Sequence, residues 1–189
     1  MSSAAKKRLR NDLMKIYSDP PPGISASPVD SDIFCWNAII SGPENTPFDG
    51  GIFRLRLEFD TDYPNTAPKV AFFSKMFHPN VYKNGRVCLD ILEEPEKWSS
   101  AYDVAAILCG IQAMLGDPNP NSPANMEANI LFTTQPEVYE QMVRRDIVER
   151  SSGDGEGSDD DENENLAEAI QQQELEDALN ELAIAELSD

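Results

Sequence analysis

Three runs of alternating apolar residues, each closed by a cluster of turn formers, constrain the fold more than any other feature of this chain. Residues 32–40, 51–59 and 69–73 are rich in β-branched and aromatic side chains, and segments such as Gly42-Pro43-Glu44-Asn45-Thr46-Pro47 and Tyr63-Pro64-Asn65 separate them. Each run therefore predicts a strand. Phe34, Trp36, Ala38 and Ile40 alternate onto one face; Ile52 marks one face of the next strand, and Phe53, Leu55, Leu57 and Phe59 mark its buried side. Connections this short favour antiparallel neighbours, and residues 24–27 supply a candidate edge strand. The expected sheet is a four-stranded antiparallel meander.

On either side of these runs the apolar period changes to that of a helix. Leu9, Leu13, Ile16 and Tyr17 predict a helix over residues 2–19, stopped by Pro20-Pro21-Pro22-Gly23. Val104, Ile107, Leu108, Ile111 and Leu115 predict a central helix that ends at Gly116-Asp117-Pro118. Ser122-Pro123 reads as an N-cap followed by proline, opening a short helix through Leu131, and a last helix runs from Pro136 to about Arg150. One sheet with a helix before it and several after it is an α+β domain. The first helix carries Lys6, Lys7, Arg8 and Arg10 near its N-terminus, where each cation opposes the macrodipole by ~0.3 to 1 kcal/mol. The cluster therefore does not serve helix stability; it is a solvated basic face or a docking surface for an acidic partner.

At 189 residues the chain exceeds one compact domain by a short segment, and charge locates the surplus. Residues 151–189 hold 14 Asp and Glu and no Lys or Arg, so most of the net charge of −19 lies there. We expect a domain over 1–150 and an acidic, largely disordered tail over 151–189. Leu166, Ile170, Leu175, Leu179 and Leu182 fall near helical spacing, which allows an amphipathic helix near 166–187 that orders on a partner. Such acidity argues against direct nucleic-acid binding and fits basic partners such as histones. The longest apolar run, from Val104 to Cys109, is far shorter than the ~18 residues of a membrane span. The expectation is a soluble protein of the cytoplasm and nucleus, its three cysteines kept as thiols, with no metal site.

The segment Phe77-His78-Pro79-Asn80-Val81-Tyr82-Lys83-Asn84-Gly85-Arg86-Val87-Cys88-Leu89-Asp90-Ile91-Leu92 carries the chemistry. It places the only histidine ten positions before a cysteine, with Asn84-Gly85 as a tight turn between them. Cys35 in a strand and Cys109 in an apolar helix read as small hydrophobes. Cys88 reads as a nucleophile. His78 could in principle form a hydrolase dyad with it, but the following proline and the lack of a Gly-rich oxyanion loop point instead to a ring that ties down local backbone.

These residues, together with Trp36-Asn37-Ala38, Tyr63-Pro64, Trp98 and Asp117-Pro118-Asn119-Pro120, resemble the ubiquitin-conjugating enzymes, over about residues 1 to 150. Ser25-Ala26-Ser27-Pro28, Tyr102-Asp103-Val104-Ala105 and Ser122-Pro123-Ala124-Asn125 are most similar to the DNA-repair branch. The resemblance implies an acyltransferase that takes ubiquitin from an ATP-using activating enzyme as a Cys88 thioester and passes it to substrate lysines with a RING-type ligase. It binds no cofactor of its own. Asn80 is then the donor to the tetrahedral oxyanion. Tyr82, Ser122 and Asp90 position an acceptor amine that must reach the site uncharged, although a free lysine has a pKa near ~10.4. Lys6, Lys7, Arg8 and Arg10 face the activating enzyme, and Asn65, Trp98, Ser99 and Ser100 face the ligase. The chain departs from the pattern at Ser99-Ser100, where a proline usually comes after the tryptophan and a small hydroxyl residue, and in the acidic Glu93-Glu94-Pro95-Glu96-Lys97 loop, which looks about two residues longer than in the branch. Two rivals stay open: a carrier for another ubiquitin-like modifier, and a non-catalytic ubiquitin-binding scaffold.

Overall fold

The computed structural model describes residues 4–30 and 32–153. Helix α1 spans Ala4–Ser18 and buries Ala5, Leu9, Asp12, Leu13 and Ile16 as one stripe. Tyr17, expected on that stripe, is exposed, because successive residues turn by about 100° and Ile16 already holds the inward position. Gly23, at φ +70°, turns the chain into the sheet. Strands β1 (Ile24–Val29), β2 (Asp32–Ser41), β3 (Ile52–Glu58) and β4 (Lys69–Phe72) form an antiparallel sheet in the order β1-β2-β3-β4. This is the expected meander.

Register explains the core. Trp36 lies opposite Leu57, Ala38 opposite Leu55 and Ile40 opposite Phe53, while Phe72 pairs with Leu55 and Val70 with Leu57. All of these side chains are buried, so the inward positions of three strands stack on one face. Ile52 points the other way and is exposed. The β2–β3 connection closes at its base, where Gly42 donates its N–H to the Gly51 carbonyl at 2.9 Å. A Cβ on Gly42 would come within 1.8 Å of the Phe48 carbonyl oxygen, so only glycine fits that approach.

After β4 the chain is irregular up to α2 (Asp90–Glu93) and then enters the central helix α3, Val104–Gly116. Val104, Ile107, Leu108, Ile111, Met114 and Leu115 of α3 are buried. Asp103 caps α3 by accepting the Ala106 N–H at 2.8 Å. Cys109 is exposed, contrary to the expectation of a thiol packed in an apolar helix. It follows Leu108 by one position and so turns off the buried stripe.

Helix α4 covers Met126–Thr134, and its N-cap is Asn125, whose side chain accepts the Ala128 N–H. The start expected at Ser122 is therefore corrected by three residues. The N–H groups of Ala124 and Asn125 both bond the Pro79 carbonyl, at 2.8 and 2.9 Å, which holds this segment to the loop before it can become helical. Helix α5 (Pro136–Val143) begins with proline in its first turn, as expected, and passes through a π-helical turn at Arg144–Val148 into α6, Glu149–Gly153. The Ser151 hydroxyl accepts the Ile52 N–H at 3.2 Å and ties α6 to β3. The expected leucine stripe over 166–187 lies outside the described residues.

Candidate active site

A short ladder fixes the cysteine. Val81 bridges Val87, the Tyr82 N–H bonds the Arg86 carbonyl at 2.9 Å, and the Cys88 N–H bonds the Asn80 carbonyl at 2.9 Å. The turn between them needs Gly85, which sits at φ +87° and whose Cβ would lie 2.2 Å from the Phe72 carbonyl oxygen. Cys88 is thus held opposite Asn80, and Arg86 opposite Tyr82.

His78 is fully buried. Its Nδ1 accepts the Asn80 N–H at 2.9 Å, and its Nε2 lies 2.9 Å from the Met114 carbonyl oxygen, which can only accept. That pairing sets the Nε2–H tautomer. Burial, opposed by the Met114 bond, lowers its pKa to about 4. The ring is a neutral clamp between α3 and the loop, with neither nitrogen left for the thiol.

Asn80 is 2% exposed, and its amide is saturated. Nδ2 donates to the carbonyls of Asn119, at 2.8 Å, and Ser122, at 3.1 Å, while Oδ1 accepts the Asn119 N–H at 2.8 Å. The expected oxyanion donor has both of its N–H bonds on the loop that faces Cys88. The structure therefore makes Asn80 the brace of that loop.

Cys88 is half-buried and shares a depression of about 230 Å³ with Asn80, Asp90, Asn119 and Ser122. Burial pushes its thiol up; the neighbouring Tyr82 and the charge of Arg86 act the other way, and Glu93 and Asp90 add to the rise. Tyr82 lines a separate open groove of about 570 Å³ with Asn84, Asn125 and Met126. The Asp90 carboxylate is bonded by the Lys97 ammonium at 2.6 Å, so it meets an incoming amine already paired. Ser122 is exposed on the rim. The structure thus brings Cys88, Asn80, Asp90 and Ser122 to one depression, with Tyr82 in the adjacent groove.

Residues 8–147 match the family model described as ubiquitin-conjugating enzyme. The chain belongs to that family. It is 52% identical over 151 residues to ubiquitin-conjugating enzyme E2 2 of Yarrowia lipolytica, covering 80% of this chain and 98% of that protein. Ubiquitin-conjugating enzyme E2 3 of Arabidopsis thaliana is 54% identical over 151 residues, with 80% and 99% covered. The E2 2 protein of Kluyveromyces lactis is 48% identical over 165 residues, with 87% and 99% covered. The enzyme is accordingly a transferase.

In this conjugating enzyme the basic cluster of α1 divides. Lys6 and Lys7 are exposed and Arg8 and Arg10 are half-buried, and Arg8 is engaged with its own chain. Its Nε bonds Asp12 at 2.8 Å, and its two terminal nitrogens bond the carbonyls of Ser100 and Tyr102, each at 2.7 Å. Asp12 is 5% exposed and also accepts the Tyr63 hydroxyl at 2.6 Å; burial pushes its carboxyl up against these two bonds. Lys15 pairs with Asp103, the α3 cap. The expected ligase-facing residues lie beside this knot: Trp98 donates its indole N–H to the Pro64 carbonyl at 2.8 Å, which brings the loop of Asn65 next to that of Ser99 and Ser100. Asn65 and Ser100 are exposed.

Sequence reasoning missed Asp12, Tyr63, Asp103, Asn119 and Arg86. Arg8 and Asp12 stand four apart on a helix, a spacing that signals an ion pair. Tyr63 and Asn119 carry no such local mark, because their partners are 51 and 39 residues away.

Proposed function

We propose that the enzyme accepts ubiquitin from an activating enzyme as a Cys88 thioester and transfers it to lysines of substrate proteins, histones among them, with a RING-type ligase. Its settings are DNA repair, chromatin modification or protein turnover in the cytoplasm and nucleus, and the ATP is used by the activating enzyme. The observation that carries this reading is the half-buried Cys88 on the rim of a depression shared with Asn80, Asp90 and Ser122. In loading, the Cys88 thiol gives its proton to solvent, its sulfur attacks the donor thioester carbonyl, and the activating enzyme's thiolate leaves. In discharge, a neutral lysine amine attacks the new thioester; the C–N bond forms, the C–S bond breaks, Cys88 departs as thiolate, and the proton lost by the amine passes to solvent. Because a thiolate is a good leaving group, this step does not require the buried His78 as base. Tyr82 and Ser122 flank the approach of the amine. Lys6, Lys7 and Arg10 present the basic face to the activating enzyme, and Asn65, Trp98, Ser99 and Ser100 form the ligase side.

The test incubates wild type and Cys88→Ala with ubiquitin, activating enzyme and ATP, then compares gels with and without reductant. A reductant-sensitive adduct that needs Cys88 is expected. No adduct under conditions that charge a control carrier overturns the ubiquitin reading, and loading with a different modifier replaces it.

A further inference from the structure

Arg86 occupies a place in this site that thioester chemistry alone does not demand. Its guanidinium carbon stands 4.4 Å from the centroid of the Tyr82 ring, and its Nη2 lies 3.5 Å from a Glu93 carboxylate oxygen. Tyr82 and Arg86 form a rung two positions along the ladder from that of Asn80 and Cys88, and so share its face. The backbone fixes the pairing: Tyr82 N–H to Arg86 carbonyl at 2.9 Å, and Gly85 N–H to Tyr82 carbonyl at 2.8 Å, lock the two side chains onto the same end of the ladder. A cation over an aromatic face is attracted to the ring's quadrupole, and the ion pair with Glu93 holds it there from the other side.

The same charge has a second effect. The ionisable groups that face the thiol are Tyr82 and Arg86 from the hairpin and Asp90 and Glu93 from α2, with Asp117 on the far wall of the depression. Three of these five are carboxylates. Asp90 is bonded by Lys97 and Glu93 pairs with Arg86, so the two carboxylates on the α2 side are each matched by one cation. Without Arg86, Glu93 would act on the sulfur uncompensated.

We propose that Arg86 is a positioning residue for the transfer reaction: clamped between the Tyr82 ring and Glu93, it fixes the Tyr82 ring beside Cys88 and keeps the rim from becoming anionic. This inference rests on the Cys88 carrier reading. In loading, Arg86 favours the thiolate that attacks; in discharge, it keeps Tyr82 fixed beside the thioester that the amine approaches.

The test measures the pH profile of iodoacetamide alkylation at Cys88 by peptide mass spectrometry, which separates it from the exposed Cys109. Arg86→Gln is expected to slow alkylation at pH 7.5 about threefold and move the profile to higher pH, the size of effect for a half-exposed charge. Arg86→Lys restores the profile but not the rate of discharge to free lysine, since an ammonium keeps the charge and loses the planar stack. Tyr82→Phe slows discharge as well, and combining it with Arg86→Gln adds little, because the two act as one unit. A profile for Arg86→Gln that superimposes on wild type, or effects on discharge that are fully additive with Tyr82→Phe, overturns the proposal. If wild type fails to load ubiquitin, the carrier reading falls by itself, and the alkylation profiles still judge the placement of Arg86.

Discussion

The α1 knot and the Cys88 rim are both polar clusters, yet they are built in opposite ways. At the knot, Asp12 is buried with Tyr63 and Arg8 as donors, and Arg8 fills its remaining directions with two carbonyls. Each charge is matched and pinned, so a change there should be felt as stability. At the rim the thiol is half-buried, and burial pushes it toward the protonated form. The saturated groups, His78 and Asn80, stand one layer behind it. Rigidity is thus supplied from behind, and the reacting atom itself is left accessible.

Asn80→Ala should break this contrast most visibly. Discharge is expected to fall about 10²-fold, the size of effect when the loop facing the reacting atom is misplaced by about 1 Å, and stability should fall by roughly 1 to 3 kcal/mol as the Asn119 and Ser122 groups lose their partner. Loss of rate with an unchanged urea midpoint would show that the amide serves the oxyanion and that the brace is dispensable. The His78 clamp predicts an acid limit. Its folded pKa, about 4, lies below the unfolded value near 6.5, so the folded state binds fewer protons in that window. Stability is then complete above about pH 6.5 and is lost as pH falls toward 4, by about 3 kcal/mol at pH 4. As the chain has one histidine, its imidazole NMR resonance reports directly; titration near 6.5 in the folded protein would refute the clamp. At the knot, Tyr63→Phe removes one of two donors to a buried carboxylate and should lower stability by about 1.5 to 3 kcal/mol while leaving the Cys88 alkylation rate unchanged. An altered alkylation rate would mean that the two clusters are coupled.

The parts of this molecule that were legible in sequence are those with a period or a local partner. Alternation placed Trp36, Ala38, Ile40, Leu55 and Leu57 on one buried face, and the 3.6-residue stripe placed Ile107, Leu108 and Ile111 in the core. Asn84-Gly85 announced the turn that presents Cys88. What sequence could not show is how a side chain is occupied. Arg8 is written as one of four cations on a helix, but whether it faces a partner protein or its own chain depends on Ser100 and Tyr102, over 90 residues away. The Asn80 amide likewise read as a free donor because Asn119 and Ser122 come into reach only once the chain has closed around α3.

The smallest effect concerns the segment where a local signal misled. Ser122-Pro123 has the residue types of a helix start, and the helix begins at Met126 because the Pro79 carbonyl captures the N–H groups of Ala124 and Asn125. Asn125 is the residue whose side-chain oxygen meets the Ala128 N–H, at 3.2 Å, and it is 4% exposed. Asn125→Ala should therefore lower stability by about 1 kcal/mol, the ordinary loss for a cap. Ser122→Ala should leave the denaturation midpoint within about 0.5 kcal/mol of wild type, since its exposed hydroxyl caps nothing and its carbonyl bond to Asn80 survives the change. If instead Ser122→Ala proved the more destabilising of the two, the hydroxyl would be structural. A slower discharge in Ser122→Ala at unchanged stability would assign that hydroxyl to the approach of the acceptor amine, on the same rim as Cys88.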